Sequence, residues 1–406
     1  MRRLIAALLL GLACASPGMP PGGPPDVAAP EIVSIVPDSG TVGVKPKQVI
    51  FHFDEVVSER PVAVTTLADL FLISPRDGVP DVSWHRDAIT VKPSHGWRAN
   101  TPYTVILMRG LADLRGNVRN TGATTFFSTG PVIPRTRISG LAFDWVTGNP
   151  AVGALVEAFV PPDSTHPYVA LVDSSARFSL EHLPPARYTV RAYVDRNRNL
   201  SVDPSEAWDS VSLNLTDSAK AELLVFAHDT APPRLRDISA IDSVTLRASF
   251  DRPVDPAQPL TARNFVVIGP PPDSAVIPIV SAGPPPPDTT PKPAAAPPGV
   301  PLPAGARPVR VARPDTSAAA PMPVMSRRPP VSSAIIQLAH PLGPKTNYRV
   351  RAIGIRGLLG NTGDSEHGYT SPAPPAVLPP DSTRAPGAQS KPPTPSTPTK
   401  PPPVAR

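Results

Sequence analysis

One cysteine in 406 residues, Cys14, leaves no partner for an internal disulfide. It lies in the leader, so thiol catalysis by a folded domain is excluded as well. No apolar run approaches the ~18 residues that a membrane-spanning helix needs, which excludes a polytopic helical membrane protein. Beyond the leader no helical stripe lasts more than two turns, which excludes a coiled coil. His-Glu-x-x-His, Gly-x-Ser-x-Gly and Gly-x-x-x-x-Gly-Lys are all missing, and the eight histidines are scattered. Neither a zinc hydrolase, a serine hydrolase nor a P-loop enzyme fits, and the chain reads as a non-enzyme. Charged residues are only 18%, and the net charge of +6 is spread thinly. Nucleic-acid binding wants Lys and Arg gathered on one face with aromatics to stack on bases, and aromatics are only 5%.

Proline is what the chain has in excess, 62 residues, about three times ordinary usage. Twenty fall between Pro270 and Pro330 and thirteen between Ser371 and Arg406. Segments of that composition bury too little apolar surface to fold and favour solvated polyproline II. Residues 270–330 and 371–406 are therefore expected to be disordered. The remainder suffices for two or three domains.

Met1-Arg2-Arg3 followed by apolar Leu4 to Ala13 has the length and charge of a signal peptide, residues 1–14. Gly11-Leu12-Ala13-Cys14 resembles a bacterial lipobox, which implies lipidation of Cys14. Ala13-Cys14-Ala15 also satisfies the rule for ordinary cleavage, with Ser16 as the new terminus. A Pro/Gly tether, residues 15–27, follows.

Past the tether the patterning has period two. Val49, Phe51 and Phe53 alternate with Ile50 and His52, and Tyr103, Val105 and Leu107 with Thr104, Ile106 and Met108. Val244, Leu246, Ala248 and Phe250 do the same. Such alternation predicts half-buried strands. A repeat runs through them. Phe53-Asp54-Glu55-Val56-Val57 echoes Phe250-Asp251-Arg252-Pro253-Val254, and Asn100-Thr101-Pro102-Tyr103-Thr104-Val105 echoes Lys345-Thr346-Asn347-Tyr348-Arg349-Val350. Each copy ends near a Gly-Asn turn, Gly116-Asn117 and Gly360-Asn361. One fold should thus occur twice, at 28–131 and 229–370, the second interrupted by the proline block after Val266-Val267-Ile268. These motifs, with Asp113-Leu114-Arg115-Gly116-Asn117, resemble the SbsA-type bacterial Ig-like domain of S-layer and other envelope proteins. The resemblance implies an Ig-like sandwich. Asp54-Glu55 falls at a strand-end position of that family and is read as structural.

Residues 136–228 read differently. Phe178-Ser179-Leu180, then Leu183-Pro184-Pro185-Ala186-Arg187-Tyr188-Thr189-Val190, resembles the carboxypeptidase-regulatory, transthyretin-like fold. Ala176 and Ala186 stand where that pattern has glycine. This domain holds the best site candidate. Counted from Asp195, oxygen-bearing side chains fall at positions 1, 3, 5, 7, 9 and 12: Asp195, Asn197, Asn199, Ser201, Asp203 and Glu206. That is the spacing by which a calcium loop wraps one hard cation, position 7 supplying its carbonyl and the final glutamate both oxygens. Leu200 occupies position 6, where glycine normally makes the sharp turn, which implies strain or a different path. The competing reading is a solvated Asp/Asn-rich hairpin.

The sequence therefore predicts an all-β chain of tandem Ig-like and transthyretin-like sandwiches with proline-rich disordered segments. Its expected role is structural or adhesive, at a bacterial envelope, against envelope proteins or cell-surface polymers. A membrane would be reached through the N-terminal lipid. Ala15 after the cysteine gives no inner-membrane retention signal, so the outer membrane, periplasm or cell surface is expected. Calcium is the one cofactor suggested, nucleic acid is not a partner, and a monomer is expected. The alternative is a carbohydrate- or peptide-binding accessory lipoprotein, which an exposed aromatic platform would favour over tryptophans packed in cores.

Overall fold

A computed structural model describes residues 26–61, 64–286 and 323–373. The leader with Cys14, tether residues 15–25, and 287–322 and 374–406 of the proline-rich stretches lie outside the described residues. The chain is all-β, its strands forming three sandwiches in sequence.

The first contains β1 (Ile32–Val36), β2 (Val49–Phe53), β3 (Phe71–Ser74), β4 (Asp81–Trp84), β5 (Ala88–Lys92), β6 (Pro102–Leu107) and β7 (Ala123–Ser128). One sheet has the order β1-β2-β5-β4 and the other β3-β6-β7. Period-two patterning explains the core: Val49, Phe51, Ile89 and Val91 of one sheet meet Phe71, Ile73, Tyr103, Val105, Leu107 and Phe127 of the other. Trp97 closes one end of this core, edge-on to Tyr103 and Phe127. Asp54 fixes the chain's approach to β1: its Oδ1 accepts the Glu31 amide at 2.8 Å, the structural role expected of that position.

The middle sandwich comprises β8 (Arg137–Asp144), β9 (Leu155–Phe159), β10 (Tyr168–Leu171), β11 (Arg177–Glu181), β12 (Ala186–Tyr193), β13 (Ala207–Leu215) and β14 (Ser218–Ala227). They form one curled ladder, β10-β9-β12-β13-β14-β8-β11. Its two halves face each other across Val156, Ala158, Val190 and Ala192 on one side and Ile138, Phe178, Leu180, Leu223 and Val225 on the other. β14 and β8 pair in parallel. Their approach requires glycine at 140, where a Cβ would overlap the Ala221 carbonyl oxygen. Ala176 has φ of 62°, the left-handed conformation that favours the glycine it replaces.

The third sandwich contains β15 (Leu235–Ala240), β16 (Thr245–Val254), β17 (Phe265–Ile268), β18 (Val276–Ile277), β19 (Ile279–Gly283), β20 (Val331–Leu338), β21 (Asn347–Arg356) and β22 (Thr362–Thr370). Its sheets, β15-β16-β20-β19 and β18-β17-β21-β22, repeat the first sandwich strand for strand, with β18 added. The local chemistry repeats too. Asp251 accepts the Arg234 amide at 2.8 Å, as Asp54 accepts that of Glu31. The Tyr348 hydroxyl accepts an amide five residues earlier, as that of Tyr103 does. Asn361 donates to the Thr230 carbonyl as Asn117 does to that of Asp26.

Three expectations about the proline-rich segments need correction. Residues 270–286 are ordered: β18 and β19 pair with β17 and β20. Both are edge strands, where prolines such as Pro278 and Pro284 cost no ladder bond. The interruption therefore enters one hairpin later than Ile268, between β19 and β20, the counterparts of β4 and β5. At its far end, residues 323–330 lie against the middle sandwich. Glu222 accepts from the Ser326 amide and hydroxyl, and the Trp145 indole donates to the Arg328 carbonyl at 3.2 Å. Finally, Ser371 belongs to the sandwich and not to the tail: it is buried, and its Oγ accepts the Thr346 amide at 2.9 Å, as Thr129 serves Thr101.

Candidate functional site in the loop 195–206

The loop joins β12 to β13, two neighbouring antiparallel strands, and is closed at its base by the Val194 amide on the Ala207 carbonyl at 2.9 Å. Its polar side chains bond to the loop itself, and the carboxylates of Asp195, Asp203 and Glu206 do not all come within 4.8 Å of one another. Asp195 accepts the amides of Asn199 and Leu200 at 3.1 and 2.8 Å. Asn197 accepts the Asn199 amide at 3.1 Å, and Asn199 accepts that of Ser201 at 2.8 Å. The side-chain amides of Asn197 and Asn199 both reach Asp203 Oδ2, at 2.6 and 3.2 Å. Glu206 is 2% exposed, and its two oxygens accept the amides of Arg196 and Asp203 at 2.8 and 3.2 Å. Four of the six residues chosen by spacing, Asp195, Asn197, Asn199 and Asp203, are thus tied in one hydrogen-bonded set. Glu206 braces the loop from its base, and Ser201 is exposed on its rim. The donor set is entirely hard oxygen, which suits calcium and poorly suits softer metals. Turning the two amides about their Cβ–Cγ bonds would present oxygen toward Asp203 but would give up the bonds their oxygens accept from the Asn199 and Ser201 amides.

The backbone follows the sharp path that spacing alone demands. Arg198 and Leu200 have φ of 58° and 59°. Leucine at position 6 does not divert the loop, as its bulk would suggest; it adopts the left-handed conformation itself. Its side chain joins an apolar cluster of Leu72, Leu155, Val169 and Tyr193, flanked by Ile106, Met108, Val202 and Trp208.

That cluster is the seam between the first two sandwiches. Leu72, Ile106 and Met108 come from the outer face of the β3-β6-β7 sheet. Leu155, Val169 and Tyr193 come from the outer face of β9, β10 and β12. Within it sits a carboxylate, Glu157, 1% exposed, bound by Arg76 at 2.8 Å, Arg191 at 2.7 Å and the Tyr193 hydroxyl at 2.9 Å. Arg76 crosses from the first sandwich. Burial, then the neighbouring Glu157 charge, push the Tyr193 hydroxyl well above the ordinary tyrosine range. His182 of the middle sandwich stacks on Phe126 of the first, ring centroids 4.3 Å apart. Sequence reasoning missed this seam although a signal was present: Ile106 and Met108 make the second face of their strand apolar too.

A second acidic group, Asp26, Glu55 and Asp113, lies at the start of the first sandwich. Asp113 is committed to its own turn, accepting the amides of Arg115 and Asn117 and the Asn117 side chain. Burial raises its pKa, but these bonds together outweigh that and hold it below the usual carboxylate range. Glu55 is raised, first by desolvation and then by the Asp113 and Asp26 charges.

All four tryptophans are buried or half-buried. Trp208 is covered by His228, rings parallel at 3.9 Å. None offers a free stacking platform.

Residues 26–129 match the profile of the bacterial Ig-like domain. No curated protein matches the chain. Among solved structures, the chain is similar to a DUF3823 family protein from Parabacteroides merdae, with 15% identity over 34% of this chain and 66% of that one, TM-score 0.18. It is also similar to the N-terminal part of the bacterial S-layer protein SbsC, with 15% identity over 49% and 44%, TM-score 0.20. A third is BcpA, the major pilin subunit of Bacillus cereus, with 8% identity over 49% and 70%, TM-score 0.18. The chain spans less than two thirds of the length of the first two. The Ig-like match covers the first sandwich, whose strand order and capping bonds the third sandwich repeats.

Proposed function

We propose that the chain is an exported, non-catalytic structural or adhesive protein of a bacterial envelope, presenting β-sandwich modules to envelope proteins or cell-surface polymers. The observation that carries this reading is the tandem build itself: two copies of one Ig-like sandwich flank a third, and face-to-face packing joins the first two. Such an assembly sets spacing and orientation, and among the described residues it gathers no nucleophile, base and acid in one place. Lipidation of Cys14 would hold it on a membrane, and the tether would stand it off. The loop 195–206 would bind calcium through Asp195, Asn197, Asn199, Asp203, Glu206 and the Ser201 carbonyl, an extracytoplasmic use of a hard-oxygen loop.

Two experiments test this. Cys14→Ser should abolish acyl labelling and move the protein from the membrane fraction to the soluble one; an unchanged membrane fraction removes the anchor. Calcium at about a hundred times its dissociation constant should stabilise the folded loop by ~2.7 kcal/mol. Melting of the full chain should rise accordingly, and Glu206→Gln should erase the rise. No heat on titration with millimolar calcium would reduce the loop to a polar hairpin.

A further inference from the structure

The two Ig-like sandwiches differ at one strand edge. β7 and β22 are counterparts, each the last strand of its sheet. Phe127 faces Tyr103 in the first ladder as Tyr369 faces Tyr348 in the third, so Phe126 and Ser128 correspond to Gly368 and Thr370. In the first sandwich the twelve residues 37–48 between β1 and β2 run along β7, parallel to it. The Phe126 carbonyl accepts the Gly40 amide at 2.7 Å. The Ser128 amide donates to the Thr41 carbonyl at 2.9 Å, and the Ser128 carbonyl accepts the Val44 amide at 3.2 Å. In the third sandwich only residues 241–244 join β15 to β16, too few for that excursion.

The Ser371 amide donates to the Thr346 carbonyl at 3.0 Å, and antiparallel ladder bonds alternate. The backbone groups of Gly368 and Thr370 therefore point away from β21. Both residues are exposed, and among the described residues no other backbone group meets theirs. The Gly368 carbonyl meets only the His367 ring, at 2.7 Å. β15 touches β22 lower down, where the Leu235 amide donates to Ser365 Oγ at 2.9 Å. Proline and lysine, common guards of an edge, are absent from β22. Its two acids are drawn to β21: Asp364 accepts the Gly354 amide at 2.8 Å, and Glu366 pairs with Arg349 and Arg351 at 3.6 and 3.7 Å. Tyr369 is 9% exposed where Phe127 is 0%. Val44 packs against the first core, and the short turn 241–244 supplies no counterpart to it.

We infer that β22 is a docking edge for an extended segment of another polypeptide, which adds to it in parallel as residues 39–44 add to β7. The segment that fits has no proline at its two donating positions, the counterparts of Gly40 and Val44, because each must supply an N–H. It carries an apolar side chain where Val44 stands, to cover Tyr369. The inference does not depend on the envelope reading, since the edge offers the same bonds wherever the chain resides.

The probe is a fluorescently labelled peptide of this chain's own residues 38–45, added to the full chain, whose β7 already holds its copy of that segment. Binding should saturate by anisotropy. Amide exchange at Gly368 and Thr370, fast in the free chain, should slow when the peptide is bound. Methylating the peptide nitrogen that corresponds to Val44 should weaken binding roughly tenfold, about the worth of one such bond. Methylating that of Val42, whose amide makes no backbone bond in the first sandwich, should not. Thr370→Pro deletes an outward N–H and leaves the β21 ladder intact, and it should weaken binding as much. Thr370→Val keeps that N–H and should bind like the wild type. The methylated peptides need no altered protein, so a variant that fails to fold does not decide the matter. No saturable binding, or binding indifferent to which nitrogen is methylated, overturns the inference. So does protection of Gly368 and Thr370 in the free chain, which would mean that the chain itself already covers the edge. Self-association that Thr370→Pro abolishes would give the edge to a second copy and overturn it too.

Discussion

At the scale of single residues, steric and ionisation effects are the sharpest. Gly140 lies where β8 and β14 run parallel, and an added methyl would overlap the Ala221 carbonyl and approach Phe178 Cζ to 2.8 Å. Backbone atoms cannot yield as a flexible side chain does, so Gly140→Ala should cost at least the 1–3 kcal/mol of ordinary overpacking. Gly153→Ala is the control: its φ is +78° with no atom within 4 Å, and it should cost only about 1 kcal/mol. Equal denaturation midpoints for the two variants would count against the close approach. Tyr188 gives a pH signature. Burial pushes its hydroxyl up to about 12 while it donates to the Pro184 carbonyl. The folded pKa lies above the unfolded value of about 10, so its contribution is complete below pH 10 and is lost as pH rises toward 12. Urea unfolding between pH 9 and 12 should show that loss, at up to ~1.4 kcal/mol per pH unit, and Tyr188→Phe should remove this part of it.

Among elements, the order of strands was legible because period two survives wherever one face is buried. Val49-Ile50-Phe51-His52-Phe53 reads as a strand in sequence and is one, and the Asp after it in both Ig-like copies holds the first strand in place. Two elements were not legible. β18 and β19 sit among Pro270–Pro272, Pro278 and Pro284–Pro286, and composition hid them because a count of prolines takes no account of edge position. The docking of residues 323–330 on the middle sandwich has no periodic signal, since it rests on single contacts from Met325, Ser326 and Arg328. That docking is testable. Glu222→Ala removes the carboxylate that accepts the Ser326 amide at 2.7 Å, and bonds to charged groups are worth about 1.5–3 kcal/mol. Amide exchange at Ser326 should quicken about tenfold or more, while Ala334 and Ile336 in β20 keep their protection. Unchanged exchange at Ser326 would mean that the segment is held by other contacts.

The whole molecule is governed by what happens between sandwiches, and here the site and the fold become one question. The candidate loop was legible from spacing because its oxygen-bearing side chains are local in sequence. The seam beneath it was not, because Arg76, Ile106, Glu157 and Leu200 meet only through tertiary packing. Glu157 is the seam's central charge. Two guanidiniums and a hydroxyl converge on it, and the Arg76 side chain is 13% exposed while that of Arg191 keeps 28%. Glu157→Ala leaves two cations facing an apolar seam without their counter-ion. Breaking a buried pair from one side costs about 3–5 kcal/mol, and the water still reaching Arg191 places this site near the lower figure. The damage should be directional. Glu157 lies on the outer face of β9, outside the core between the two halves of the middle sheet, so the middle sandwich should keep its fold while its hold on the first sandwich weakens. Calorimetry of the full chain should then resolve separate transitions for the first two sandwiches where the wild type unfolds them together. Glu157→Gln, which keeps acceptors but no charge, should fall between the two. Two transitions already present in the wild type, or a single lowered one in Glu157→Ala, would show that the carboxylate stabilises its own sandwich and does not join it to its neighbour.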